Sequence, residues 1–330
     1  MLNYDKYEYR IKGIESNKLI CEENPLNQSP LNETEIQGKT IVSLISPGTE
    51  LAVLKNASGQ FKFPMSLGYA CVFEIEEIGS KVTTLNIGDR VFCSGNHKSK
   101  QVAPENGVVK LPLNLDPKIA VFARLMGVSM STLTTTNARP PQAVVVTGLG
   151  LVGHLAAQIF SSCGYQVFGI DPSEEKRQLA EKVGLKNIYK DFYYVKENYK
   201  GKISLVVECS GHEDAINDAC QVVRKGGEVV MVGVPWSKRS SLPAFDLLSL
   251  VFHNYVNLRS GWEWEVPKQN QDFIEGSLQN NYAGAIRWLV ENKIKVQDLA
   301  ETRSPENPQQ IYDDIINQKI KGLSCLINWQ

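Results

Sequence analysis

The chain has 330 residues, a length suited to about two domains at roughly 150 residues each. Lys and Arg number 35 against 36 for Asp and Glu, and this near-neutral balance excludes a broad footprint for nucleic acid or anionic membrane. With 42% hydrophobic and 22% charged residues the chain buries a core, which excludes bulk disorder.

The first residues, MLNYDKYEYR, alternate charge with aromatics and contain no apolar run suited to a secretory leader. Residues 143–160 are the most membrane-like stretch, but three glycines, His154 and Gln158 interrupt them, so a clean span of about 20 apolar residues is absent. The seven cysteines are scattered and form no C-x-x-C pair. Such a set is expected as reduced thiols of a cytoplasmic protein, mostly small core residues.

Up to about Leu115 short β-type runs dominate, among them residues 39–44, 70–78 and 90–93, with turn signals at Pro47-Gly48, Ile78-Gly79 and Gly88-Asp89. From Pro117 the pattern changes. A helix is predicted over 117–136, closed by Arg139-Pro140-Pro141. Then come a strand at 143–147, a helix at 151–162, a strand at 166–170 and a helix at 173–183, with Ser173 as its N-cap and Glu174 and Glu175 in the first turn. A strand at 204–209, a helix at 215–223 and a strand at 228–232 continue the alternation. Near-continuously apolar strands alternating with helices predict a parallel sheet buried on both faces. Beyond Gly261 helices are predicted at 283–292 and 309–318, and a terminal strand at 323–327.

Gly148-Leu149-Gly150-Leu151-Val152-Gly153 fits G-x-G-x-x-G between a predicted strand and a predicted helix. The first glycine permits the tight turn, the second lets backbone approach a pyrophosphate, and the third lets helix pack on strand. The helix N-terminus then offers free N–H groups to phosphate oxygens. Asp171 ends the next strand 18 residues after Gly153, where a carboxylate accepts bonds from an adenosine ribose and repels a 2′-phosphate. Together these residues predict an NAD(H) site.

Over nearly its whole length the sequence resembles the medium-chain dehydrogenase/reductase superfamily. Pro47-Gly48-Thr49-Glu50-Leu51 resembles the family's C-G-T-D-L, and Leu67-Gly68-Tyr69-Ala70 stands where G-H-E is expected. Glu76-Glu77-Ile78-Gly79, Gly88-Asp89-Arg90-Val91, the glycine turn, Cys209-Ser210-Gly211 and the run from Gly226 to Gly233 follow in the family's order. The resemblance implies an α/β protein made of a GroES-like β-barrel catalytic domain (residues 1–122), a doubly wound parallel-sheet Rossmann domain (123–260) and a return segment completing the first domain (261–330). It also implies a homodimer joined at Rossmann sheet edges.

The departures from the family are informative. The places of the catalytic zinc's Cys and His hold Pro47 and Tyr69, the third ligand's place near 125–127 offers no donor, and the cysteine-rich structural lobe has no counterpart between Asp89 and Val109. No metal is therefore expected, and the phrase from Ser43 to Glu50 is similar to a zinc-poor branch that includes bacteriochlorophyllide dehydrogenases. Thr49 matches the hydroxyl that touches the substrate alcohol in zinc enzymes, and Tyr69 replaces the lost histidine. His97 lies on the segment that lines the cleft in relatives, and its imidazole suits acid–base work. Glu50 is read as an orienting acid. The expectation is that Thr49, Tyr69 and His97 share the substrate oxygen, although Tyr69 reads equally well as a filler of the vacated metal site.

On the cofactor side the resemblance puts Lys176 beside the adenine ribose, Cys209 and Ser210 along the adenine or ribose, and Gly233-Val234 at the nicotinamide amide. His154 is read as structural, and His212 and His253 as packing or surface residues. Trp262 and Trp264 with their flanking acids read as packing or as a stacking platform for a ring. The Tyr- and Lys-rich stretch 186–202 reads as a solvated helix face and not a nucleic-acid surface. The expected activity is zinc-independent, NAD(H)-dependent interconversion of a secondary alcohol (polyol, sugar or ring hydroxyl) and a ketone. The alternatives are NAD(P)H-dependent reduction of an activated C=C bond or quinone, and a catalytically silent NAD-binding regulator.

Overall fold

The computed structural model describes residues 2–26, 29–274 and 276–330. They fall into two compact units: Met1–Arg124 with Tyr282–Val290 and Val296–Gln330, and Leu125–Asn281 with Glu291–Lys295.

In chain order the first unit begins with β1 (Tyr7–Glu15), β2 (Lys18–Pro25), β3 (Glu35–Leu44), α1 (Pro47–Leu54), β4 (Met65–Ser66), β5 (Cys71–Ile78), β6 (Arg90–Cys93), β7 (Lys100–Pro104), β8 (Val108–Lys110) and α2 (Pro117–Ala120). There follow α3 (Ala123–Thr135), β9 (Ala143–Thr147), α4 (Leu151–Ser162), β10 (Gln166–Ile170), α5 (Glu174–Lys182), β11 (Ile188–Tyr189), α6 (Tyr193–Tyr199), β12 (Ile203–Glu208), α7 (Glu213–Val222), β13 (Val223–Met231), α8 (Ala244–His253) and β14 (Asn257–Ser260). The chain ends with α9 (Leu278–Val290), β15 (Ala300–Arg303), α10 (Pro308–Ile316) and β16 (Ser324–Asn328).

The first unit holds a sheet ordered β2-β1-β4 and a seven-stranded sheet ordered β15-β16-β3-β5-β6-β8, with β7 also on β3. The C-terminal strand is built into the latter sheet, since β16 pairs antiparallel with β3 through Leu326 opposite Leu44. The second unit holds a parallel sheet ordered β11-β10-β9-β12-β13-β14. In chain order of its own strands this is 3-2-1-4-5-6, the doubly wound arrangement whose order reverses beside its first strand. Val144, Val145 and Val146 of β9 have no exposed surface, as the apolar strand pattern predicts for a sheet covered on both faces.

Several local expectations change in the structure. Pro47-Gly48 opens a helix instead of forming a turn, because a proline at the first helical position lacks only an amide that would be unpaired there. The helix predicted over 117–136 is two, α2 and α3, parted at Val121-Phe122. The Gly226-Gly227 pair lies inside β13, where the pairing with β12 shifts register. The β1–β2 hairpin, turned at Ser16-Asn17 with Asn17 at φ +59°, and α8, which starts without a side-chain cap, are not among the predicted elements.

Residues 261–281 pack with the second unit, so the return to the first falls at Tyr282. The Leu278 amide donates to the Pro267 carbonyl at 2.9 Å, and the Asn281 side chain donates to Ser131 Oγ at 3.4 Å. Residues 291–295 are likewise held by Gln158 of α4, which donates to the Lys295 carbonyl (2.9 Å) and accepts from its amide (2.8 Å). All seven cysteines are free thiols, and Cys71 and Cys93 face each other across β5 and β6 with sulfurs 3.2 Å apart.

Candidate functional site

In the second unit the expected cofactor residues gather at the carboxyl ends of β9, β10, β12 and β13, beside the point where strand order reverses. Gly148 has φ +82°, and a Cβ there would stand 2.7 Å from the Ser210 amide nitrogen. A Cβ at Gly153 would stand 1.9 Å from the Gly148 carbonyl oxygen, so only glycine lets α4 start this close to the turn. Gly150 differs: it caps α4 without a side-chain bond, and nothing lies within 4 Å of where its Cβ would be. Open space over a helix N-terminus is what an approaching phosphate needs. Leu149 and Leu151 turn their side chains inward and are buried.

Asp171 is nearly enclosed. Its Oδ2 accepts from the Leu149 amide and its Oδ1 from the Ser173 amide, both at 2.8 Å, so the acid braces the turn it was expected to serve. Each oxygen keeps a lone pair for a further donor. Lys176 Nζ lies 3.7 Å from Oδ2, and Arg177 donates to the Asp171 carbonyl at 2.9 Å. Gly233 packs on the backbone of Cys209 and Ser210, and Val234 is half-exposed beside them.

Sequence reasoning missed Glu208, the last residue of β12. Fully buried, it accepts from the amides of Ser210 (2.7 Å) and Gly211 (3.1 Å) and from the Ser210 hydroxyl. Burial pushes its carboxyl above the usual carboxylate range, and the bonds from Ser210 and Gly211 oppose that. An acid followed directly by Cys-Ser-Gly at a strand end was the available signal.

In the first unit α1 and the loop before β5 bring Thr49 to Tyr69. The Ser46 and Thr49 side chains lie beside the Tyr69 hydroxyl. Burial raises its phenol above the ordinary value, while those two side chains and the Arg124 guanidinium act the other way. The phenol is therefore protonated at neutral pH.

His97 is not brought to this pair. It is wholly enclosed, with Nδ1 2.8 Å from Ser43 Oγ and Nε2 3.0 Å from Glu50 Oε2. Trp329 Nε1 donates to Ser43 Oγ at 2.9 Å, the Ser46 amide donates to Glu50 Oε1 at 2.7 Å, and the Tyr312 hydroxyl donates to Glu50 Oε2. One proton arrangement satisfies every group: Ser43 donates to Nδ1, and Nε2 donates to Glu50. Both ring nitrogens are thus occupied, and His97 with Glu50 forms an interior brace behind α1. Tyr312 and Trp329 went unread because they lie more than 200 residues along the chain from Ser43 and Glu50.

Of the remaining candidates, His154 is enclosed beside Gln158 at 3.2 Å, and burial lowers its basicity. His212 caps α7, and His253 meets Phe252 edge-on. Trp262 and Trp264 are exposed, and Lys268 Nζ stands 5.9 Å from the Trp264 ring centre. Tyr189 and Tyr194 stack at 4.4 Å along the Tyr-rich stretch.

The donor set does not suit a metal. Pro47 and Tyr69 occupy the expected ligand places, and among the described residues no three His, Cys, Asp or Glu side chains group to hold an ion. No helix among the described residues is long and apolar enough to cross a membrane.

Residues 152–264 match the family described as "Zinc-binding dehydrogenase". An alcohol dehydrogenase of Geobacillus stearothermophilus is 25% identical, covering 90% of this chain and 95% of that protein. In sequence the chain is thus similar to zinc-binding dehydrogenases over residues 152–264 and to an alcohol dehydrogenase over most of its length. D-xylulose reductase A of Aspergillus oryzae is 27% identical over 82% of each chain. The fold of galactitol-1-phosphate dehydrogenase from Escherichia coli superposes with a TM-score of 0.81 at 18% identity, covering 97% of this chain and 99% of that one.

Proposed function

We propose that the protein is a zinc-independent, NAD(H)-dependent dehydrogenase that interconverts a secondary alcohol (polyol, sugar or ring hydroxyl) and a ketone. The observation that carries this reading is the Tyr69 phenol, standing where the resemblance expects a zinc ligand, beside Ser46 and Thr49 and under the Arg124 guanidinium. The cofactor reading is supported by the open face over Gly150 and by Asp171 at the end of β10.

A bound nicotinamide dinucleotide supplies the acceptor or donor of hydride. The residues of the glycine turn, with Asp171 and Lys176, would hold the dinucleotide; Cys209 and Ser210 would flank its adenine or ribose, and Gly233 and Val234 would meet its nicotinamide amide. Tyr69 moves the proton: it donates to the carbonyl oxygen in reduction and takes the alcohol proton in oxidation. Thr49 and Ser46 aim the phenol, and Glu50 with His97 fixes the helix that carries them. Because burial raises the phenol above its ordinary value, it can donate its proton for ketone reduction through neutral pH and loses that ability only as it ionises in the alkaline range, where alcohol oxidation rises.

The test is a panel of xylitol, sorbitol, myo-inositol and 2,3-butanediol with NAD⁺, run beside 2-cyclohexenone and a benzoquinone with NADH. Alcohol-dependent NADH formation that falls at least about a hundredfold in Tyr69→Phe is expected, the usual scale of lost acid–base catalysis. Turnover of the enone or quinone alone supports the C=C or quinone reductase, and NAD binding without any turnover supports the silent regulator. Either result would remove the alcohol dehydrogenase reading.

We also infer that two copies pair through the second unit. Phe245, Leu248 and Phe252 stand exposed on α8, the helix leading into edge strand β14. Exposed apolar side chains of this size on one helix mark an interface. Sedimentation is expected to give a dimer that Phe252→Asp turns into a monomer; a monomeric parent at micromolar concentration rejects the pairing.

A further inference from the structure

Arg124, the second residue of α3, carried no motif, yet it is the charged group laid against the phenol. Its guanidinium carbon lies 4.7 Å from the Tyr69 ring centre and 5.7 Å from that of Tyr282, and the residue is only 4% exposed. The Tyr282 ring in turn meets Phe92 edge-on at 5.2 Å. A planar cation enclosed among aromatic rings attracts their electron-rich faces and holds their planes.

Ser46 and Thr49 lie only at the hydroxyl end of Tyr69. They leave the ring free to rock about its own axis, whereas a guanidinium over its face removes that freedom. We propose that Arg124 is the positioning residue of the proton-carrying phenol: it sets the ring plane of Tyr69 and offsets the negative charge left on the oxygen once the proton has gone. This role rests on the reading of Tyr69 as proton carrier. The charged and titratable groups around the phenol are Arg124, Glu50 and Tyr312. Glu50 opposes phenolate formation and Arg124 favours it, and Arg124 is the only cation among the three.

The experiment needs no substrate. In full-length protein carrying ¹³Cζ-tyrosine, the Tyr69 carbon signal is identified by its loss in Tyr69→Phe and followed against pH. In Arg124→Met its midpoint is expected to rise by about one pH unit, a roughly tenfold weaker phenol ionisation. In Arg124→Lys, which keeps the charge without the planar fork, a smaller rise of about half a pH unit, a roughly threefold weaker ionisation, is expected. A Tyr69 midpoint in Arg124→Met equal to that of the parent overturns the proposal. Should the methionine variant fail to fold, the lysine variant decides alone, and an unmoved midpoint there is equally fatal. The proton-carrier reading fails separately, by full alcohol turnover in Tyr69→Phe.

Discussion

The two units use buried acids in opposite ways. In the second, Asp171 and Glu208 accept backbone amides of neighbouring turns: those of Leu149 and Ser173 for one, Ser210 and Gly211 for the other. In the first, Glu50 accepts the Ser46 amide but also a Tyr312 hydroxyl 262 residues away and a His97 ring nitrogen 47 residues away. The cradle is braced by two acids that hold the backbone amides of its own turns, and its shape rests on those acids and its glycines. The Tyr69 site is braced by distant side chains, and its geometry depends on the first unit being closed by its C-terminal strand.

The largest expected effect comes from breaking the local brace at its tightest point. Gly153→Ala puts a Cβ 1.9 Å from the Gly148 carbonyl, an overpacking with no room to relax. A loss of about 3 kcal/mol or more in stability is expected, read by thermal or urea unfolding of the second unit. Gly150→Ala is its counterpart three residues earlier, where the same Cβ meets nothing within 4 Å. Stability should hold within about 0.5 kcal/mol, while calorimetric NAD affinity falls about tenfold because the methyl occupies the phosphate's approach. A Gly150→Ala protein that binds NAD as the parent does would mean that no phosphate rests on this turn.

The same contrast explains what was legible beforehand. The parallel sheet, the glycine turn, Asp171 and the Ser173 cap were readable because each is written in contiguous residues: an apolar strand, three spaced glycines, a serine before two acids. Ser173 Oγ does accept from the Lys176 amide at the start of α5. Thr49 and Tyr69 were readable only through the family's phrases around them. Arg124, Tyr312 and Trp329 were not, because their partners are set by how distant segments pack. His97 illustrates the limit: a lone histidine near a cleft segment suits a base, and only folding reveals Ser43 and Glu50 on its two nitrogens.

The smaller effects test the distant brace. Glu50→Ala removes the acceptor of the Tyr312 hydroxyl, the His97 ring N–H and the Ser46 amide at once. Stranding buried donors costs about 1–3 kcal/mol each, and because the three can relax toward other partners a total of about 2–3 kcal/mol is expected. Tyr312→Phe is gentler: it deletes one donor and leaves Glu50 two others, so about 1 kcal/mol is expected. Its diagnostic value lies in where the effect falls. If the cluster serves only to hold α1 and its hydroxyls toward Tyr69, Tyr312→Phe lowers kcat on whichever panel alcohol is turned over and leaves calorimetric NAD affinity unchanged, since no backbone of the cradle depends on it. Loss of NAD affinity in step with kcat would mean that Glu50 and its partners stabilise the whole protein and do not position the phenol.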